Sequence, residues 1–174
     1  AGFIGNVGDS NNSSVKTSYA NVIIHATGKA TGFAFTAGTQ TEISGCHTLG
    51  IIDAKSDACG LLEKAGDGTK ITGNYSALWS ITATGWYPFY KNISTTNGNE
   101  TQCSQNFYLS DCKVNVSNSN LIDYGQNAKG LSYARLCNQP IEGLQKGTQA
   151  NTRGYYQYMN DDNDHKIYPY PMPS

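Results

Sequence analysis

"KITGNYSALWSITATGWYPFY", Lys70 to Tyr90, is the most regular stretch of a 174-residue chain. Its odd positions read Ile71, Gly73, Tyr75, Ala77, Trp79, Ile81, Ala83; its even positions read Thr72, Asn74, Ser76, Leu78, Ser80, Thr82, Thr84. Successive side chains of a strand point to opposite faces, so this period of two predicts a strand with one dry and one hydroxyl-rich face. On that reading Tyr75, Trp79 and Ile81 lie inside, and Thr72 and Asn74 lie outside. Asn74-Tyr75-Ser76 is a glycan-acceptor triplet, and it falls on the outer side.

The rest of the composition agrees with a strand-rich chain. Charged residues make up 14% of it, against roughly 25% in an average soluble protein. Asn, Ser, Thr, Gly and Tyr supply the polarity instead, which suits turns and strands and is poor in helix formers. Strand candidates recur at short intervals with Gly and Asn turns between them: 15–26 and 30–37 about a turn at Thr27-Gly28-Lys29, 47–53, 69–84, then 86–91, 105–109, 112–117, 120–124, 131–137, 154–159 and 166–170. We read no internal repeat. The pattern predicts an all-β antiparallel sandwich or barrel-like domain. One short helix is expected near residues 57–65, capped by Ser56 or Asp57, burying Ala58, Leu61, Leu62 and Ala65, and stopped by Gly66. The expected organisation is an extended N-terminal arm (1–10), a single β domain (11–168) and a Pro-rich tail (169–174).

Two features address location. Asn11, Asn12, Asn74, Asn92, Asn99 and Asn115 each begin an N-x-S/T triplet, and in "CKVNVSN" Asn115 falls opposite Val114 and Val116. The acceptors carried forward are Asn12, Asn74, Asn92, Asn99 and Asn115. The five cysteines, Cys46, Cys59, Cys103, Cys112 and Cys137, have no C-x-x-C or zinc-finger spacing. In an oxidising compartment they give two bridges and one free thiol. Cys103 and Cys112 are the easiest local pair, while Cys46 has Cys59 or Cys137 as partner. The chain opens on Ala1 without a charged-then-apolar leader, as a processed secreted chain would. These signs place it outside the cell or on its surface.

Net charge is −1, which offers no footprint for nucleic acid, and no apolar run is long enough to span a bilayer. His25, His47 and His165 lack any G-x-S-x-G, H-E-x-x-H or P-loop context, so no catalytic residue is assigned. The acidic run "YMNDDNDHK" alternates Asn160, Asp162 and Asp164, with Asp161 adding charge; these are candidate ligand-site residues, and Asp161, Asp162 and Asp164 are candidate calcium ligands. His165 stands where an EF-hand loop needs its turn glycine, and a solvated hairpin tip explains the run equally well. Calcium is the one cofactor the sequence offers. Trp86 and Tyr87 head the aromatic cluster after the long strand and are candidate stacking rings for a sugar. "AGFIGNVG" alternates like an arm that completes a neighbouring copy's sheet, or its own domain's edge.

Two segments, "GFAFTAGTQTEISGCHTL" (32–49) and "LSYARLCNQP" (131–140), resemble the strand-then-cysteine segments of type IVb pilin headgroups. The resemblance covers only those residues and lacks the pilins' long N-terminal helix. It implies a Cys46–Cys137 pair. Taken together, the reading is a secreted structural or adhesive protein rather than an enzyme. It is a subunit of a pilus- or fimbria-like filament that meets copies of itself or cell-surface glycans. A lectin-type adhesin domain and a secreted hydrolase are the alternatives.

Overall fold

The computed structural model describes residues 1–8, 12–118, 128–138, 155–156 and 170–171. The chain winds in coils of four short strands. The first coil holds β1 (Ile4–Val7), β2 (Ser14–Lys16), β3 (Tyr19–Ala26) and β4 (Ala30–Thr31). The second holds β5 (Ala34–Ala37), β6 (Glu42–Ser44), β7 (His47–Ala54) and β8 (Ala58–Cys59). The third holds β9 (Leu62–Ala65), β10 (Lys70–Thr72), β11 (Tyr75–Ala83) and β12 (Trp86–Tyr87). A fourth follows with β13 (Tyr90–Ile93), β14 (Gln102–Ser104), β15 (Asn106–Leu109) and β16 (Lys113–Val116).

Each strand pairs in parallel with the equivalent strand of the next coil, giving the orders β1-β5-β9-β13, β2-β6-β10-β14 and β4-β8-β12 on three sides. The fourth side runs β3-β7-β11-β15-β17, where β17 is Ala128–Leu131 and β16 also pairs with β11. Every ladder between coils is parallel. This is a β-solenoid, not an antiparallel sandwich or barrel. A helix, α1 (Tyr133–Asn138), follows β17, and the one antiparallel pair among the described residues, β18 (Tyr155–Tyr156) with β19 (Tyr170–Pro171), forms a two-stranded sheet of its own.

The reason is a repeat that we did not read in the sequence. Glu42 to Ser44 register with Lys70 to Thr72, and Tyr19 with His47, each pair 28 residues apart. Equivalent residues therefore stack in columns about 4.8 Å apart. Val15, Ile43, Ile71 and Cys103 form one column, and Ile24, Ile52, Ile81 and Val114 another. Phe33, Leu61 and Phe89 fill a corner, with Phe3 stacked on Phe33 at 4.9 Å. The repeat is carried by residue size and turn geometry more than by identity. Thr17, Gly45, Gly73 and Gln105 all have positive φ (49°, 62°, 66° and 52°) at the same corner, where the chain turns sharply. Gly45 and Gly73 adopt this conformation without the steric cost a Cβ would add.

Three further expectations are corrected. The turn at Thr27-Gly28-Lys29 is a corner between sides, so 15–26 and 30–37 pair with the next coil and not with each other. Residues 57–65 are β8, a corner at Gly60 and β9, not a helix. Ala58, Leu61, Leu62 and Ala65 are all buried as expected, because a two-residue strand, a corner and a four-residue strand reproduce helical spacing. Of the two readings offered for the N-terminal segment, pairing with its own domain is the one observed, through β1 with β5. Tyr75 and Ile81 are buried as expected, but the face expected to be wet is not: Asn74, Ser76 and Leu78 are buried too, with Leu78 in the main core and Tyr75 and Ala77 in a second cluster on the opposite face. A β-bulge between Leu78 and Ser80 turns Trp79 outward to 42% exposure, and Asn74 is completely buried.

Asn74 belongs to a ladder across coils. Its Nδ2 donates to the Ile43 carbonyl at 3.0 Å and to Asn106 Oδ1 at 3.1 Å, and its Oδ1 accepts from the Cys46 N–H at 2.8 Å. Asn106 repeats the pattern one coil on, donating from Nδ2 to the Ile71 carbonyl at 2.8 Å. Cys46 ends the ladder with its thiol against the Val15 carbonyl. Buried backbone groups at the corner are thereby satisfied. Replacing Asn74 with Ala should cost about 2–4 kcal/mol, because several buried partners lose their bonds together. Urea denaturation checks this, and a change below about 1 kcal/mol would mean the ladder does not hold the corner.

Candidate functional site

The aromatic candidates do not form a surface platform. Trp86 is 2% exposed within the main core, and Tyr87 is half-buried with the Lys91 ammonium 5.0 Å from its ring centre. Lys91 also pairs with Asp57, and Lys29 with the buried Glu63 at 2.8 Å, so this corner is laced by charges on successive coils. Asn160, Asp161, Asp162 and Asp164, the candidate ligand and calcium residues, lie outside the described residues, as does His165.

Asn12, Asn92, Asn99 and Asn115 are exposed. Asn74, buried and hydrogen-bonded through both polar atoms, is out of reach of a glycosylating enzyme in the folded chain. Cys46, Cys59, Cys103 and Cys112 are free thiols. Cys103 packs against the main core and Cys112 against a second cluster formed by Tyr75, Ala77, Phe107, Leu109 and Leu131. Burial raises all four thiols, Cys46 to about 12 and Cys103 and Cys112 to about 11. Cys137 lies in α1.

The histidines separate. His25 is exposed on β3, 3.4 Å from Asp53. His47 is 1% exposed, stacked between Tyr19 (5.3 Å) and Tyr75 (4.5 Å), and its Nδ1 has no hydrogen-bond partner. Burial lowers its pKa to about 3, so it is a neutral ring in an aromatic stack.

Two other features emerge from the fold. The first is a polar crevice of about 550 Å³ at the corner between the β1-β5-β9 and β2-β6-β10 sides. Asn12, Ser13 and Ser14 form its first-coil wall and Gln40, Thr41 and Glu42 its second. Gly68 and Lys70 close it from the third coil. Asn12, Gln40 and Gly68 occupy one column of positive φ (71°, 53° and 66°), and the missing side chain at 68 leaves a notch. Glu42 is held ionised by Lys16, 2.7 Å away, with its pKa lowered chiefly by that hydrogen bond. The second feature is the open end of the stack, where β1 to β4 are the outermost strands of all four sides. The only sequence signal for either was the spacing of 28, visible in Thr41/Thr69 and Ile43/Ile71 once the coils are aligned.

Among the described residues, no helix is long and apolar enough to cross a membrane, and no group of three or more His, Cys, Asp or Glu side chains is placed to hold a metal. No protein-family model matches the chain, and comparisons with curated proteins and with solved structures give no match.

The His47 geometry carries a pH signature. The folded ring stays neutral down to about pH 3, whereas the unfolded chain binds a proton below about 6.5. Its contribution to stability is complete above pH 6.5 and is lost as pH falls from there toward 3, by up to about 1.4 kcal/mol per unit. Chemical denaturation at pH 7, 6 and 5 should show this decline. His47→Phe, which keeps the stack, should flatten it; an unchanged slope in that variant would refute the assignment.

Proposed function

We propose that this chain is an extracellular structural and adhesive protein, a subunit of a cell-surface filament that assembles through β-strand contacts between copies. The observation that carries the reading is the first coil, whose outer side no described strand covers. Parallel strands bond through both edges, so the outer edges of β1, β2 and β3 offer backbone donors and acceptors that no described strand takes, while at β4 the Thr31 carbonyl accepts from the Gly2 N–H of the chain's own first residues.

The core is open at the same place. Ile4, Val15, Ile24 and Ala26 are half-exposed, whereas Ile43, Ile52 and Ala54 one coil further in are buried. Natural sheets protect such edges with charge, proline or a bulge. The eight-residue β3, "YANVIIHA", has no Lys, Arg, Asp, Glu or Pro, and its register with β7 is unbroken. Lys16 and Lys29, which could guard the edge, are turned to Glu42 of the second coil and Glu63 of the third. Tyr19 and Ile23 stand 59% and 74% exposed, and Tyr19 ends a ring stack that another aromatic could continue. The chemistry suited to this end is another coil of the same kind, and a second copy supplies one. Of the exposed acceptors, Asn92, Asn99 and Asn115 lie beyond the first coil and sugars there leave this end clear, whereas Asn12 lies in the first coil itself.

The reading is tested by light scattering and negative-stain microscopy over a concentration series. The native chain should associate, and Ile23→Lys should shift it toward monomer by tenfold or more in concentration, with an unchanged melting temperature because Ile23 is exposed. A native chain monomeric at high concentration, or association indifferent to Ile23→Lys, would sink it.

A further inference from the structure

We infer that the crevice between Asn12, Gln40 and Lys70 is a binding site for a short acidic saccharide. The inference rests on the adhesive part of the reading above and names a ligand for it. The lining contains no aromatic and no aliphatic side chain, so neither a nucleobase nor an apolar peptide anchor finds a surface there. It presents amides and hydroxyls, which donate and accept together as adjacent sugar hydroxyls do. Its volume, about 550 Å³, is in the range of small-ligand sites, roughly 300–1,000 Å³.

Two further observations point to a ligand. Thr41, Thr69 and Thr101 occupy one column, and the hydroxyls of Thr69 and Thr101 donate to the Gly38 and Gly66 carbonyls at 2.7 and 3.3 Å. Thr41 is wholly buried and lines the crevice, yet its Oγ1 has no hydrogen-bond partner. A buried hydroxyl left unsatisfied costs about 1–3 kcal/mol, and a ligand hydroxyl would relieve it once a small shift at the crevice floor uncovers Oγ1, which is closed to solvent here. The second observation is charge. Glu42 is paired with Lys16, whereas Lys70 beside it has no ion-pair partner among the described residues. The three sum to one positive charge at the mouth of a neutral, hydroxyl-lined notch. That suits a ligand with several hydroxyls and a single carboxylate, and is too little for a polyphosphate.

The test uses the whole chain, isotope-labelled and made in a host that adds no N-glycan, since a sugar on Asn12 would fill the crevice. It is titrated with digalacturonate, with sialyllactose and with neutral lactose while amide shifts are followed. At least one acidic sugar should give saturable shifts at Gln40, Thr41 and Lys70, at least tenfold tighter than lactose. Lys70→Gln should remove that preference, and Thr41→Val should weaken both classes about fivefold. Melting temperatures of the two variants show that each remains folded. No saturable shift with either acid, shifts that map elsewhere, or a preference untouched by Lys70→Gln would overturn the proposal. The monomerising variant Ile23→Lys should bind unchanged, so failure of assembly and failure of the sugar site are read separately.

Discussion

Backbone hydrogen bonding between successive coils is the constraint from which the rest of this structure follows. Each inner strand is bonded on both edges to strands one coil away, so residues 28 apart must share a column and a face. A one-residue slip would send every side chain of a strand to the wrong side. The chain handles its irregularities accordingly. The extra residue of β11 is expelled as the bulge that turns Trp79 outward, and the added length of the last coil sits in the corner around Thr95–Asn99 instead of in a strand.

The same constraint decides how polarity is tolerated inside. A buried amide costs free energy unless its hydrogen bonds are met, and a repeating column meets them by handing each group to its equivalent one coil away. Asn74 and Asn106 do this at one corner, and Thr69 and Thr101 at another. Charges follow the rule at longer reach, with Lys16–Glu42, Lys29–Glu63 and Lys91–Asp57 each joining two coils. Where a column breaks its pattern, as at Thr41 or at the missing side chain of Gly68, the irregularity opens toward the crevice. A repeat thus makes departures from itself informative.

The two surfaces read as functional differ in kind. The open end is a consequence of stacking, since any coil exposes the edge that the next coil would cover. The crevice is a local property of one corner, and nothing in the stacking requires it. They lie close together near the first coil but use different chemistry, backbone edges with apolar side chains in one case and hydroxyls, amides and a lysine in the other.

Much of this was legible in the residues, up to a definite limit. Alternation in 70–84 identified a strand and placed Tyr75 and Ile81 inside, and the outward setting of Asn115 followed from its two valines. Ala58, Leu61, Leu62 and Ala65 were recognised as buried although their element was not. Trp86 was misjudged because an aromatic cluster has no address until the coil around it closes. The sequence by itself determined a strand-rich chain, the burial of Tyr75 and Ile81 and the wet setting of Asn115, since these follow from neighbours two positions away. The tertiary structure alone decided that strands run parallel, that Asn74 turns in and Trp79 out, and where the crevice and open end lie. Those outcomes depend on partners a whole coil distant, and alternation along one strand says nothing about the direction or identity of the next.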